Sequence, residues 1–218
     1  MNSFFDGQYQ VEAWYEKKLT RRSLLKSAAG AAAIAALPVK ALSQEQYKAL
    51  QIALKTDPWL TLDAVLDHLL PASETGPSAK DIKVINYLYN VIYQQPTDKS
   101  EIDFIYKGVG WLNDFSQSQY QQAFVTLGFD DKERLLKAIS QSRAGDNWLN
   151  NLVGYIFEAM LSPPSYGGNP NGIGWQWLNH QAGFPLPEKG QRYFEIPGFK
   201  SIAVANVSDV SSIGKTKS

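Results

Sequence analysis

Asp63, Asp67 and His68 fall within six residues of one another, and Asp63 and Asp67 are four apart. On a helix that spacing brings two carboxylates together for acid–base or metal work. Both acids, however, fall opposite the stripe Leu62, Val65, Leu66 and Leu69, where solvated carboxylates belong. His180 follows a tryptophan-rich stretch and is read as a satisfied partner of loop carbonyls rather than as a catalytic base. The chain carries no Gly-x-Ser-x-Gly elbow, P-loop or His-Glu-x-x-His motif. Gly108-Val109-Gly110, Gly167-Gly168 and Gly172-Ile173-Gly174 are not dinucleotide fingerprints, because no buried strand precedes any of them. No catalytic, cofactor-binding or metal-ligating residue is assigned to this chain.

The segment from Tyr166 through Gly167, Gly168 and Asn169 to Gly174 and Trp175 is more specific. Its glycines and its Asn171-Gly172 pair predict consecutive tight turns. Such a loop would present Tyr166, Trp175 and Trp177, residue types enriched at interface hot spots. It reads either as a docking surface for a partner or as a loop packed on its own domain.

The elements that must position these residues are helices. Capping signatures open segments at Ser43-x-x-Gln46, Ser78-x-x-Asp81, Ser100-x-x-Asp103, Ser116-x-x-Gln119 and Asp130-x-x-Glu133. Apolar residues recur at helical spacing in each: Ile82, Ile85, Tyr89, Ile92 and Tyr93; Ile102, Ile105, Tyr106 and Val109; Tyr120, Ala123, Phe124 and Leu127; Leu135, Leu136 and Ile139. A last helix is predicted from about Asp146 to Leu161 along Trp148, Leu152, Tyr155, Ile156 and Ala159. The predicted class is all-α, a bundle of about six or seven helices. A Gly/Pro/aromatic loop follows from 162 to 187, with one turn around Trp175 to His180, and then an extended C-terminal arm, 188–218.

Ahead of the bundle, Thr20-Arg21-Arg22-Ser23-Leu24-Leu25-Lys26 has the pattern of a twin-arginine export signal. A weakly apolar Ala/Gly stretch follows from Ser27 to Leu37, about half the ~20 residues a membrane span needs. Pro38 breaks it, and Ala41 and Ser43 supply the small residues of a cleavage site. Three sections are therefore expected: a leader, 1–43, left out of the fold; a helical domain, 44–187; and a tail, 188–218. The signal implies the periplasm, by a route that carries proteins already folded, often around a cofactor.

The composition restricts that cofactor. Beyond residue 43 there are 15 Lys/Arg against 18 Asp/Glu, a balance that argues against nucleic acid as a partner. There is no cysteine, hence no thiol nucleophile, iron–sulfur cluster or CxxCH haem attachment. Only two histidines are present, too few for a His-based metal centre.

Two blocks of the sequence carry a family resemblance. Asp67-His68-Leu69-Leu70-Pro71-Ala72-Ser73-Glu74, followed by Gly76-Pro77-Ser78-Ala79-Lys80, resembles the first motif of the gluconate 2-dehydrogenase subunit 3 family, with Ser73 and Ser78 replacing its usual acid and glycine. Phe157 to Trp175, followed by Gly183-Phe184-Pro185, is similar to the family's Tyr-Gly-Gly-Asn ending, with Ser162-Pro163 and Asn171 departing from its acidic residues. The resemblance spans roughly residues 44 to 187.

It implies a small subunit of a membrane-associated dehydrogenase. The partner would be a glucose–methanol–choline-type flavoprotein that holds FAD and lacks an export signal of its own. A multihaem cytochrome subunit carrying haem c would receive the electrons. On that expectation this chain holds no cofactor, engages the twin-arginine translocase, escorts the folded flavoprotein, and stays near the inner membrane through the complex. The alternative is an independent carbohydrate-binding module with Tyr166, Trp175 and Trp177 as stacking platforms.

Overall fold

A computed structural model describes residues 3–11, 13–16 and 43–180. The described residues form helices and turns, with no strand among them. The proposed signal residues Arg21, Arg22, Leu24, Leu25 and Lys26, the cleavage residue Ala41 and the tail lie outside the described residues.

The chain opens α1 (Gln44–Ala53) at Ser43, whose hydroxyl accepts from the Gln46 N–H while the Gln46 side chain accepts from the Ser43 N–H. This reciprocal pair satisfies two of the orphan groups at a helix start. Helix α2 (Trp59–Leu69) is held from one residue further back: the Asp57 carboxylate accepts from the Thr61 N–H at 3.0 Å and from the Asn113 side chain at 2.8 Å. Its buried face is Leu62, Val65 and Leu66, and the helix stops before Pro71, as the stripe predicts.

A second reciprocal cap at Ser78 opens α3 (Ala79–Ile82). The helix predicted to continue through Tyr93 is interrupted at Lys83, which takes a left-handed conformation with φ 57°. The chain restarts as α4 (Val84–Gln94), buried nearly all round through Val84, Ile85, Tyr87, Leu88, Tyr89 and Ile92. Tyr93, expected on the buried face, is exposed.

Helix α5 (Lys99–Tyr120) corrects two predicted starts. Asp98, not Ser100, is the N-cap, and its carboxylate accepts from the Ser100 N–H at 2.9 Å. Ser116 opens nothing: it is buried inside the same helix and donates its hydroxyl to the Gln122 carbonyl at 2.7 Å. Gln121, left-handed, ends the helix, and Phe124 enters the core from a short 3-10 turn, Phe124–Thr126.

Helix α6 (Phe129–Ser140) buries Leu135, Leu136 and Ile139. Helix α7 (Arg143–Leu161) starts three residues earlier than predicted, because the Ser142 hydroxyl accepts from the Gly145 N–H at 3.0 Å. It packs against α2, α3, α4, α5, α6 and the final short helix α8 (Ile173–Trp177). The core gathers on α7 through Trp148, Leu152, Tyr155, Ile156 and Ala159.

The N-terminal residues also enter this core. Phe4 and Trp14 are buried, although the sequence reading placed them in a leader outside the fold.

Candidate functional site

Helix α2 brings its titratable groups to partners that use up their chemistry. The Lys80 ammonium donates to the Asp67 carboxylate at 2.7 Å, tying α2 to α3. Asp63 is half-buried, and burial raises its pKa above the ordinary carboxylate value, with Lys80 opposing and Asp67 adding to the rise. The His68 ring is buried, lies against the Phe129 ring at 4.5 Å, and its Nε2 is 2.8 Å from Glu133 Oε2. Hydrogen bonding to His68 and then to Lys137 lowers the Glu133 pKa. These contacts fix α6 on α2.

Two buried tyrosine–carboxylate contacts form a second polar cluster. Tyr155 donates to Glu101 at 2.6 Å, and Tyr87 lies 3.4 Å from Glu158. Burial first, and the neighbouring carboxylate second, push both phenols well above their ordinary value. They stay protonated near neutral pH and serve as donors rather than bases. Among the described residues, no three His, Cys, Asp or Glu side chains gather as metal ligands.

The Tyr166–Trp175 loop is built around Asn169. This side chain is fully buried: its Oδ1 accepts from the Gly174 N–H at 2.7 Å and its Nδ2 donates to the Ser162 carbonyl at 3.0 Å. The Asn169 N–H reaches the Ile82 carbonyl at 2.7 Å. The tight turns use left-handed residues at Gly167, Asn169, Asn171 and Gly172, so asparagines supply half of what the sequence reading gave to glycines. Gly167, Gly168 and Gly174 are buried. A Cβ on Gly174 would press on the Met160 backbone and side chain, so glycine lets α8 lie directly on α7.

The aromatic rings of this loop have different positions. Tyr166 is half-buried, with its carbonyl accepting from the Asn90 side chain at 2.8 Å. Trp175 is half-buried and donates its indole N–H to the Leu161 carbonyl at 2.8 Å. Trp177 is exposed, lies over Gly76 and donates to the Thr75 carbonyl at 2.7 Å. One of the three side chains is therefore exposed, and its indole N–H is already engaged.

Further exposed apolar side chains were not found from sequence: Leu178 beyond α8, and Phe157 and Leu161 one turn apart on α7. Helical spacing alone marked α7 as a core helix and gave no sign that its last turns also bear an outward apolar face. His180 is exposed, and its backbone N–H bonds the Trp175 carbonyl. Asn179 ahead of it takes a left-handed conformation at φ 49°.

A third surface involves the N-terminal segment. Phe4 packs edge-on against Trp111 at 5.2 Å and tilted against Trp148 at 5.5 Å. Phe5 meets Phe115, and both Tyr9 and Trp14 meet Phe104. A cavity of about 330 Å³ separates the Phe4–Tyr9 stretch from the first turn of α7, with Asp6 and Arg143 on its wall. The sequence signal for this segment was its density of Phe, Tyr and Trp, unusual for a stretch that only precedes a signal.

Among the described residues, no helix is long and apolar enough to cross a membrane. Residues 56–183, from just before α2 to just past α8, match the family model described as gluconate 2-dehydrogenase subunit 3. No curated protein and no solved structure matches the chain.

Proposed function

The chain belongs to the gluconate 2-dehydrogenase subunit 3 family, and from that membership we propose that it is a non-catalytic small subunit of a periplasmic FAD-dependent dehydrogenase, escorting the folded flavoprotein through the twin-arginine pathway and stabilising it. The observation that carries this reading is the family match over more than half of the chain, covering all of the helical body except α1. The Arg21-Arg22 pattern ahead of that body supports the escort role. FAD belongs to the catalytic partner of the glucose–methanol–choline type, and haem c to a cytochrome subunit. Together these subunits hold the complex at the inner membrane.

The partner docks on the end of α7 and on α8. Asn169 and the buried glycines set the loop's shape, and Trp177, Leu178, Phe157 and Leu161 are the apolar side chains that a partner would cover. Exposed aromatic and aliphatic groups gathered on a rigid support are what an interface anchor requires. With one exposed side chain among Tyr166, Trp175 and Trp177, the loop lacks the row of platforms that a carbohydrate-binding module would use.

Co-expression with the flavoprotein tests this. Affinity capture of the small subunit should recover the flavoprotein with its FAD absorbance, and Phe157→Ser with Leu161→Ser should reduce that recovery at least tenfold while the helical content is unchanged. Full recovery with the double variant would remove this face as the docking surface. No recovery with the wild-type chain would defeat the subunit reading itself.

A further inference from the structure

We propose that residues 3–16 are a permanent part of the exported subunit: an aromatic clip across α5 and α7 that keeps the twin-arginine leader on the finished helical body. The inference rests on reading Arg21 and Arg22 as an export signal. It goes beyond that reading, because such a signal alone says nothing about what becomes of the residues before it.

The observations are of packing and covalent connection. Phe4 is 2% exposed and Trp14 is 6% exposed, values of core residues rather than of a tag. Phe4 sits against Trp111 of α5 and Trp148 of α7, so one side chain touches both long helices. Trp148 is itself fixed, donating its indole N–H to the Ile105 carbonyl at 3.1 Å. Tyr9 stacks on Phe104 and accepts from the Asn147 side chain at 3.0 Å, which gives the contact a directional bond as well as area. Trp14, in a helical turn at 13–16, also packs against Phe104, with ring centroids 5.8 Å apart.

Removing the segment would leave Phe104, Trp111 and Trp148 facing water along one groove. Large exposed aromatic patches drive association or aggregation, so the body is built to keep this segment. Residues 17–42, which contain the signal, join the clip to α1, and α1 is anchored by the fully buried Leu50. The signal is thus covalently linked at both ends to parts of the folded body. A docked clip requires formed α5 and α7, which ties the signal to a finished fold. Cleavage after Ser43 would also strip α1 of its capping hydroxyl and of the reciprocal bond with Gln46.

Two measurements test the clip. In the first, a site-specific protease sequence is inserted between Ala35 and Ala36 of the full chain, and the purified protein is cut. The N-terminal peptide should co-elute with the body in gel filtration, and Phe4→Ala should release it while lowering the thermal midpoint of the uncut chain by about 5–15 °C. A peptide that leaves the wild-type body, with an unchanged midpoint after the cut, would overturn the clip and leave the export reading untouched.

In the second, the subunit is recovered from the periplasm with its flavoprotein and its intact mass is measured. A mass that includes residues 3–16 supports retention. A subunit starting at residue 42 or 44, with no leader peptide bound, overturns retention while the export reading stands. A chain confined to the cytoplasm defeats the export reading and with it retention, whereas the cutting experiment decides the clip by itself.

Discussion

Asn169 shows how a single side chain can hold a functional loop. It bridges the Gly174 N–H and the Ser162 carbonyl from a fully buried position, and its own N–H reaches back to Ile82. Asn169→Ala orphans the buried Gly174 N–H and the half-buried Ser162 carbonyl, so unfolding by chemical denaturant should show a loss of about 2–4 kcal/mol. His68 and Glu133 give a pH-dependent counterpart. The Glu133 carboxyl is held below its ordinary 4.5 by His68 and Lys137. A depressed carboxylate stabilises the fold above its unfolded pKa, and that contribution is lost as the pH falls through the folded one. Wild type should therefore exceed Glu133→Gln by about 0.5–1 kcal/mol above pH 4.5, small because Glu133 faces solvent. The difference should close on acidification below 4.5, and a gap independent of pH would show that the carboxylate charge is not what His68 uses. Sequence alone gave Asn169 as one residue of a candidate docking loop and Glu133 as a capping residue. Their partners, Gly174 and His68, lie across turns and across helices, where local pattern carries no information.

The helices were largely legible, because capping and periodicity are local. Ser43 and Ser78 cap as their sequence pattern predicts, and the stripes on α6 and α7 are buried, as is that on α2 up to Leu66, with Leu69 half-buried. The same pattern failed at Ser100, at Ser116 and at Asp130, which lies inside α6 after the N-cap Gly128, since a side chain caps only where the helix starts and no better acceptor competes. Asp98 supplies that acceptor ahead of Ser100, and burial turns the Ser116 hydroxyl towards Gln122. The break at Lys83 had no signal at all: lysine is not a residue that announces a left-handed conformation. Lys83→Gly should relieve that backbone cost and raise stability by about 0.5–1 kcal/mol in denaturant unfolding. Gly174→Ala acts in the opposite direction, driving a methyl into Met160 and costing about 1–3 kcal/mol. If Gly174→Ala were neutral, the close approach of α8 to α7 would not constrain the loop.

At the scale of the whole molecule, the chain carries the proposed twin-arginine pattern at Arg21-Arg22 ahead of a helical body. Family membership over residues 56–183 fits such a body, and the described helices supply two aromatic surfaces, one at the N-terminal clip and one at the end of α7. The second was half-legible: the Gly/Asn/Trp loop stood out in sequence, whereas Phe157 and Leu161 were hidden inside a helix whose opposite face is core. The first lay among residues 1–43, which the sequence reading set aside with the signal motif, and its Phe4 and Trp14 are buried. Escort remains the claim on which the function turns, and export of the partner tests it most directly. With the flavoprotein co-expressed, Arg21 and Arg22 are both replaced by lysine and flavoprotein activity is assayed in the periplasm. The escort reading predicts that periplasmic flavoprotein falls to background while the cytoplasmic complex still forms; undiminished periplasmic activity would contradict it.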